Sequence, residues 1–259
     1  MKKSKIAVLV AMVVVLAFSL AACGGSDKSS SDKTVYKVGT EPTFPPFDTT
    51  DEDQNIVGLD MDLIKAIGED QDFDVEFENL SFDGLIPALK AGNIDIVAAG
   101  MNKDDEDRQK EVDFSDSYYE SKLFVAVTED NTTIKSVEDL TPDMKVAAQT
   151  GTTGASKVKE LKDAGKIKEA VILDGLDTCM MKLINGDVSA VINDKPVTEA
   201  YMKKQPDKIK MVGEALNAEN YGFAVQKGNT ELVEKINKGL KNIKENGTYD
   251  KLVDEWFNK

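Results

Sequence analysis

The basic residues of this sequence include one arginine, and histidine is absent. Arg108 is the single arginine among 32 basic residues, so the other 31 are lysines. Without an imidazole, the chain has no Ser-His-Asp or Cys-His nucleophile pair, no histidine-ligated zinc and no histidine acid–base catalyst. A guanidinium offers two parallel donors to one carboxylate, whereas a lysine ammonium is a point charge. The residue types therefore favour recognition of a carboxylate over histidine-dependent catalysis.

The charge balance excludes a further class of partner. The chain of 259 residues has a formal net charge of -15 and a calculated pI of about 4.6. Such a surface is unsuited to neutralising phosphates, so we expect no nucleic-acid partner. Asp51-Glu-Asp53-Gln-Asn55 is similar to a calcium loop, but Ile56 stands where the turn needs a glycine. We read it as a solvated hairpin loop and predict neither a metal site nor a cofactor.

The amino terminus has the layout of a secretory signal. Three lysines within residues 1–5 precede an apolar run over 6–22, which ends Leu20-Ala-Ala-Cys23-Gly. This ending resembles the bacterial lipobox, in which the cysteine is acylated, for example with palmitate, and the preceding segment is removed. We predict a signal peptide over 1–22 and a lipidated Cys23 with a flexible tether over 23–33, anchored on the extracytoplasmic face of the cell membrane. The alternative is an uncleaved transmembrane anchor.

Strands and helices alternate along the rest of the chain, which indicates an α/β fold with largely parallel sheets. Short β-branched runs predict strands at Tyr36–Thr40, Asp74–Glu78, Ile94–Ala98, Leu123–Thr128, Lys145–Gln149, Ala170–Leu173, Ala190–Asn193 and Tyr221–Val225. Amphipathic spacing predicts helices at Leu59–Glu69, Phe82–Ala91, Thr153–Lys162, Leu176–Asn185, Pro196–Lys204, Thr230–Glu245 and Tyr249–Phe257. Ser81 is the expected N-cap of the second helix.

Two segments of the chain have similar sequences, and we call this similarity the echo. Residues 89–100 and 183–194 share Leu, Gly, Ile/Val and Val at matching offsets, and each segment is predicted as a helix, a glycine stop and a buried strand. The echo indicates two similar α/β lobes. Ligands bind at the carboxyl edge of open α/β sheets, where both echoed strands end.

Several motifs in a fixed order give the chain a specific resemblance. They are Val38-Gly-Thr-Glu41-Pro-Thr-Phe44-Pro-Pro-Phe47, Gly58-Leu-Asp60-Met-Asp62, Phe82-Asp-Gly84-Leu-Ile-Pro87, Arg108 before Val112-Asp-Phe114, Gln149-Thr-Gly151-Thr152-Thr153-Gly154 and Asn193-Asp194. With them the chain resembles the family 3 extracellular solute-binding proteins, the amino-acid receptors of ABC importers. The resemblance implies a type II periplasmic-binding-protein fold, in which two α/β lobes are joined by a two-strand hinge. It places the first lobe at 34–119 plus 221–259 and the second at 122–218.

The resemblance also implies a site for a zwitterion. Arg108 and the turn at Thr152 and Thr153 match the positions that receive the ligand carboxylate, and Asp194 matches the partner of the ammonium group. The Gly100 carbonyl and Asn102 would supplement Asp194. The stretch between Gly100 and Arg108 is one residue longer than usual in the family, and Asn102 replaces a usual Thr or Ser. Asp194 could instead cap the next helix, and Arg108 could pair with the acidic stretch before it.

Four further positions match the part of the family site that holds the ligand side chain. Phe44 and Phe82 would sandwich it, although phenylalanine beside a strand also suits a core. Glu41 and Gln149 would face its distal group, which favours a polar or cationic amino acid over an acidic one. We therefore expect a monomeric binding lipoprotein that delivers an L-amino acid to a membrane permease and is not an enzyme. The alternative is a cyclohexadienyl (prephenate or arogenate) dehydratase-like enzyme on the same fold, with a cleft carboxylate as general acid.

Overall fold

The computed structural model describes residues 33–258, so the predicted signal peptide, Cys23 and all of the tether but Lys33 lie outside the described residues. The strands are β1 (Thr34–Thr40), β2 (Thr49–Thr50), β3 (Ile56–Val57), β4 (Phe73–Asn79), β5 (Ile96–Val97), β6 (Val112–Phe114), β7 (Tyr119–Thr128), β8 (Lys145–Gln149), β9 (Glu169–Leu173), β10 (Ala190–Asp194), β11 (Ile209–Val212), β12 (Ala218–Tyr221) and β13 (Ala224–Gln226). The helices are α1 (Leu59–Gln71), α2 (Phe82–Lys90), α3 (Glu106–Glu111), α4 (Thr153–Asp163), α5 (Leu176–Ile184), α6 (Lys195–Lys204), α7 (Thr230–Glu245) and α8 (Thr248–Phe257). None of the helices in this region is long and apolar enough to cross a membrane.

The strands form two main sheets, each with its own helices. The first sheet has the order β4-β1-β5-β13-β6, with β1 parallel to β4 and β5. The second has the order β11-β7-β10-β8-β9, with β8, β9 and β10 parallel. We call the first sheet with α1, α2, α3, α7 and α8 the first lobe, and the second sheet with α4, α5 and α6 the second lobe. The exact lobe boundaries given by the resemblance stay a prediction.

Helix α1 packs against α7 on the outside of the first lobe. Leu63, Ile64 and Ile67 on α1 are fully buried, as the i, i+3, i+4 spacing of an amphipathic helix requires. The two helices approach closely at Gly239, where an added Cβ would lie 2.8 Å from the Ile67 Cγ2. A glycine on α7 therefore brings the helix axes together and completes this part of the core.

The echoed segments are structural equivalents in the two sheets. Helices α2 and α5 are each followed, two residues after their last helical residue, by a glycine with positive φ, Gly92 at 74° and Gly186 at 77°. The Gly92 N–H donates to the Leu89 carbonyl at 3.1 Å, and the Gly186 N–H donates to the Leu183 carbonyl at 3.0 Å. The following strands, β5 and β10, lie inside the first and second sheets. The prediction of two similar α/β units is confirmed.

Strands β7 and β12 connect the two lobes. Residues 119–122 of β7 pair antiparallel with β12, and residues 123–128 pair with β10 and β11 in the second sheet. After β12 the chain passes through Gly222 and Phe223 into β13, which belongs to the first sheet. The single strand predicted at Tyr221–Val225 was wrong, because the chain changes its pairing partner as it passes between sheets.

Other differences from the sequence predictions concern short elements. The strand predicted at Ile94–Ala98 is shorter in the structure, Ile96–Val97, and helix α3 was not predicted. Ser81 precedes α2 as expected, but its side chain makes no capping hydrogen bond. The acidic loop is the β2–β3 turn, in which Asp51 Oδ1 accepts N–H donors from Asp53 at 2.9 Å and Asn55 at 2.8 Å. The Asp51 carboxylate thus accepts hydrogen bonds from backbone N–H groups of the same loop, which agrees with a hairpin loop.

Candidate functional site

Arg108 lies between the two lobes, with only 8% of its surface exposed. Helix α3 fixes its backbone, because the Asp105 side chain caps that helix and accepts the Arg108 N–H at 3.0 Å. The Nη1 group donates to the Asn102 carbonyl at 3.2 Å, and Nη2 donates to the Gly151 carbonyl at 2.8 Å. The guanidinium also lies over the Phe82 ring, 5.4 Å from its centroid. The only arginine thus joins the first lobe to the turn before α4.

Gly100 and Phe44 form a close contact in the first lobe. Gly100 has a φ of 53°, and a Cβ there would lie 2.7 Å from the Phe44 ring, so both the backbone conformation and the space favour glycine. Phe44 is 7% exposed and lies 6.3 Å from the Tyr221 ring, centroid to centroid. Asn102, by contrast, has its side-chain oxygen engaged by backbone N–H groups, from Asp104 at 3.1 Å and Asn220 at 3.3 Å.

Asp60 holds the backbone of Gly100 through a buried hydrogen bond. It was not identified as a functional residue from the sequence. Its Oδ2 accepts the Gly100 N–H at 2.8 Å and the Tyr118 hydroxyl at 2.7 Å. Complete burial raises the pKa of the Asp60 carboxyl to about 7, and these two hydrogen bonds oppose the rise. The sequence does contain a signal, because Asp60 lies on the buried face of α1 with Leu63, Ile64 and Ile67. An acid on an apolar helix face needs a buried partner.

Glu41 and Gln149 meet across the lobes. Gln149 Nε2 donates to Glu41 Oε2 at 2.8 Å and to the Asp174 carbonyl at 3.0 Å. The Thr43 hydroxyl donates to the same Glu41 oxygen at 2.7 Å. Burial raises the pKa of the Glu41 carboxyl, and the hydrogen bonds from Thr43 and Gln149 partly offset that rise. The structure therefore brings together the acid and the amide that the sequence placed at the distal end of the site.

The turn before α4 is organised by Thr152. Its Oγ1 accepts the Ala155 N–H at 3.0 Å as the N-cap and donates to the Gln149 carbonyl at 2.7 Å. Gly151 approaches the first lobe so closely that an added Cβ would lie 3.0 Å from the Asp83 Cβ. The N-terminus of α4, which is the positive end of the helix dipole, therefore lies at the boundary between the lobes.

Asp194 is the last residue of β10 and is 5% exposed. Its Oδ1 accepts hydrogen bonds from the Ser121 hydroxyl at 3.1 Å and the Tyr221 hydroxyl at 2.5 Å, both on the connecting strands. Asp194 stands at the N-cap position of α6 but makes no side-chain capping bond. The alternative in which capping is its role is therefore wrong.

Glu219 is a second acid at this point, and the sequence reasoning missed it. It lies on β12 with 2% of its surface exposed, and it pairs with Ser121 on β7, whose hydroxyl donates to Asp194, so the two carboxyls lie side by side. Asn217 Nδ2 donates to its Oε1 at 3.2 Å, and the Thr153 hydroxyl contacts it as well. A signal was present, since residues two apart in a strand share a face and Glu219 is two before the buried Tyr221.

The two carboxyls perturb each other. Burial raises the pKa of Asp194 well above its usual value, and the neighbouring charge of Glu219 adds to the rise. Burial also raises the pKa of Glu219, against hydrogen bonds from Thr153 and Asn217 and the attraction of Arg108. Burial lowers the pKa of the Arg108 guanidinium, and the nearby Asp105, Glu219 and Asp194 carboxyls counteract that. Anionic and cationic groups thus converge between the lobes.

Comparison with known proteins identifies the family. The sequence model of the bacterial extracellular solute-binding proteins, family 3, matches residues 36–259. The "Probable histidine-binding protein" of Neisseria gonorrhoeae is 34% identical, over 94% of this chain and 92% of that protein. The arginine-binding extracellular protein ArtP of Bacillus subtilis is 33% identical, over 96% of each chain.

Solved structures show the same relationship. An ancestral arginine-binding protein bound to arginine has a TM-score of 0.82 and 45% identity, covering 87% of this chain and 99% of the other. An ancestral arginine-binding protein bound to glutamine has a TM-score of 0.80 and 45% identity, with 88% of this chain and 99% of the other covered. An ancestral amino-acid-binding protein described as a precursor of cyclohexadienyl dehydratase has a TM-score of 0.79 and 38% identity, with 86% and 95% covered. The close relatives are binding proteins and not enzymes. This chain belongs to family 3 of the bacterial extracellular solute-binding proteins, whose two-lobed fold it shares.

Proposed function

We propose that the chain is the receptor of an ABC importer, and that it captures a polar or cationic L-amino acid between its lobes and delivers it to a membrane permease. The observation that carries the proposal is Arg108, buried over Phe82 and reaching from the first lobe to the Gly151 carbonyl of the second. A planar guanidinium in this position suits a ligand carboxylate. The arginine- and histidine-binding relatives support the ligand class.

The two ends of a zwitterion would be held by different groups. Its carboxylate would bind Arg108 and the N-terminus of α4 at Thr152 and Thr153, where it replaces the Gly151 carbonyl as the acceptor of Nη2. Its ammonium group would bind Asp194, with the Gly100 carbonyl as a further acceptor. Asn102 would contact the ligand through a main-chain atom, because its side-chain oxygen already accepts the N–H groups of Asp104 and Asn220.

The ligand side chain would extend between Phe44 and Phe82 toward Glu41 and Gln149. Glu41 would attract a cationic group and repel a carboxylate, which disfavours glutamate and aspartate as ligands. Docking on the first lobe would come first, and rotation about β7 and β12 would then bring Thr152, Thr153 and Asp194 onto the ligand. The permease would recognise this closed form.

A thermal-shift screen of the purified protein against each of the twenty amino acids tests the proposal. A ligand at 100 times its dissociation constant adds about 2.7 kcal/mol to the free energy of unfolding. We expect the largest shifts with L-arginine, L-lysine, L-histidine or L-glutamine. Absence of a shift with every amino acid contradicts the proposal, and consumption of prephenate or arogenate would establish the dehydratase alternative instead.

We also propose that Cys23 carries the lipid that holds the protein on the extracytoplasmic face, as a monomer. The family is extracellular, and Cys23 ends an apolar run in a lipobox-like sequence. Expression with radiolabelled palmitate should label the wild-type protein but not Cys23→Ser, with Cys179→Ser as the matched control because Cys179 is buried. A labelled Cys23→Ser protein rules out acylation at this position.

A further inference from the structure

Two buried acids, Asp194 and Glu219, lie side by side where the proposed site has a single acid. Glu219 pairs with Ser121 on β7, and the Ser121 hydroxyl donates to Asp194 at 3.1 Å. Two buried carboxylates are both acceptors and repel each other, so the pair is favourable only while it holds a proton or faces a cation. We propose that Glu219 is a specificity-determining residue that acts with Asp194, and that the ammonium group of an incoming amino acid displaces the proton the two carboxyls share. This inference rests on the proposed function. It adds Glu219 as a second carboxyl acceptor for the ligand ammonium group, and the release of a proton when the ligand binds.

Within residues 33–258, the other groups that face the pair are uncharged apart from Arg108. Ser121 on β7 and Tyr221 on β12 donate to Asp194. Asn217 donates to Glu219, and the Thr153 hydroxyl on α4 contacts the same carboxyl. Arg108 on α3 attracts both carboxyls. Tyr221 stays a neutral donor, because burial and the nearby carboxyls raise the pKa of its hydroxyl well above the usual value. One guanidinium cannot balance two ionised carboxylates, so the pair retains a proton in the absence of a further cation.

A zwitterionic ligand supplies that cation. Its carboxylate faces Arg108, so its ammonium group is the end nearer to the pair, and the attraction of the nearer charge exceeds the repulsion of the farther one. An ammonium group has three donors. Asp194, Glu219 and the Gly100 carbonyl together provide three acceptors. Binding therefore lowers the pKa of the pair and releases up to one proton into solution.

The sign of the pH dependence follows. The free protein holds the pair protonated to a higher pH than usual, and the ligand prefers the ionised pair. Affinity for an amino acid should therefore rise with pH, by up to tenfold for each pH unit, until the pair is fully ionised in the free protein. A ligand without an α-amino group should show neither the proton release nor this dependence.

Titration calorimetry in two buffers of different ionisation enthalpy measures the released proton. The probes are L-arginine and 5-guanidinopentanoate, which is arginine without its α-amino group. We expect proton release with L-arginine and none with the analogue. We expect Glu219→Gln to weaken L-arginine binding by about tenfold, abolish the proton release and leave analogue binding unchanged. The matched control, Glu214→Gln, changes an exposed acid in the preceding segment and should leave both ligands unaffected.

The outcomes separate this inference from the proposed function. If L-arginine binds with the same heat in every buffer, no proton is displaced and the inference is wrong. An equal loss for both ligands in Glu219→Gln assigns Glu219 a purely structural role and also overturns it. If Glu219→Gln fails to fold, the wild-type measurement alone decides. If no amino acid binds the wild-type protein, the proposed function itself fails.

Discussion

Arg108 makes geometrically defined contacts on two sides, which a lysine cannot reproduce. Its Nη1 and Nη2 atoms donate to carbonyls of different lobes, and its plane covers the Phe82 ring. We predict that Arg108→Lys weakens amino-acid binding by tenfold or more in titration calorimetry, because a lysine supplies one point charge in place of a fork. Lys110→Gln, an exposed cation on the same helix, is the control and should bind normally. If Arg108→Lys bound the amino acid with wild-type affinity, Arg108 would not be a ligand-binding residue.

Asp60 gives the stability of the fold a specific pH dependence. The pKa of its carboxyl is about 7 in the folded protein, above the ordinary value of 3.8, so the folded state binds this proton more tightly than the unfolded state. This contribution to stability is fully present below the unfolded pKa of 3.8 and is lost progressively as the pH rises from there to about 7. At 1.36 kcal/mol per pKa unit the loss is at most about 4 kcal/mol.

The Asp60→Asn variant should remove that dependence, because an amide oxygen can still accept from Gly100 and Tyr118 and carries no charge. We predict that urea unfolding gives similar stabilities for variant and wild type only below about pH 4, and an advantage of the variant that grows up to about pH 7 and is still present at about pH 8. Asp163→Asn, which changes an exposed acid at the end of α4, is the control. Parallel stability curves for Asp60→Asn and wild type would show that Asp60 is not the group that titrates.

The sequence allowed some residues of the candidate site to be predicted but not others. Arg108 was accessible from sequence because it is unique and its spacing to Phe114 fits the family. Asp60 and Glu219 were not assigned, because their roles depend on partners far along the chain, Tyr118 for one and Asp194 for the other. Composition and spacing identify a group that can bind a ligand, but they do not show which acids the fold buries together.

At the level of elements, the contact between α1 and α7 depends on Gly239. We predict that Gly239→Ala destabilises the protein by about 1–3 kcal/mol, although alanine favours a helix, because the new Cβ would lie 2.8 Å from Ile67 and 3.1 Å from Gln71 Cγ. Lys238→Ala, at an exposed position on the same helix, is the control and should change stability little. Denaturant unfolding measures both. A Gly239→Ala protein as stable as the control would mean that the helices shift apart without cost.

Long elements were predicted well and short ones poorly. Helix α7 was predicted with its observed bounds, since its apolar residues recur over sixteen residues. Strand β5 has two residues and α3 has six, too few to show a period. The break between β12 and β13 follows from the passage between sheets. That passage is a tertiary constraint, so no local pattern could have indicated it.

At the scale of the whole molecule, the contacts between lobes lie on both sides of the site. Arg108 and Glu41 reach Gly151 and Gln149, while Thr43 accepts the Tyr201 hydroxyl on its carbonyl at 3.0 Å and the Leu176 N–H on its Oγ1 at 3.2 Å. The Thr43 contacts hold the lobes together without belonging to the proposed ligand contacts. They can therefore change the balance between open and closed forms with the ligand contacts intact.

Tyr201→Phe tests this balance because it deletes one neutral hydrogen bond of the closed form and preserves the ring. Such a bond is worth about 0.5–1.5 kcal/mol, so we predict that L-arginine binds about two- to tenfold more weakly. Since the closed form is less favoured, small-angle scattering should show the ligand-dependent decrease in radius of gyration at higher L-arginine concentrations than in the wild type. Tyr36→Phe, whose hydroxyl makes no hydrogen bond in the described structure, is the control. Wild-type affinity in Tyr201→Phe would mean that this contact forms equally in both states and that closure depends on the ligand contacts alone.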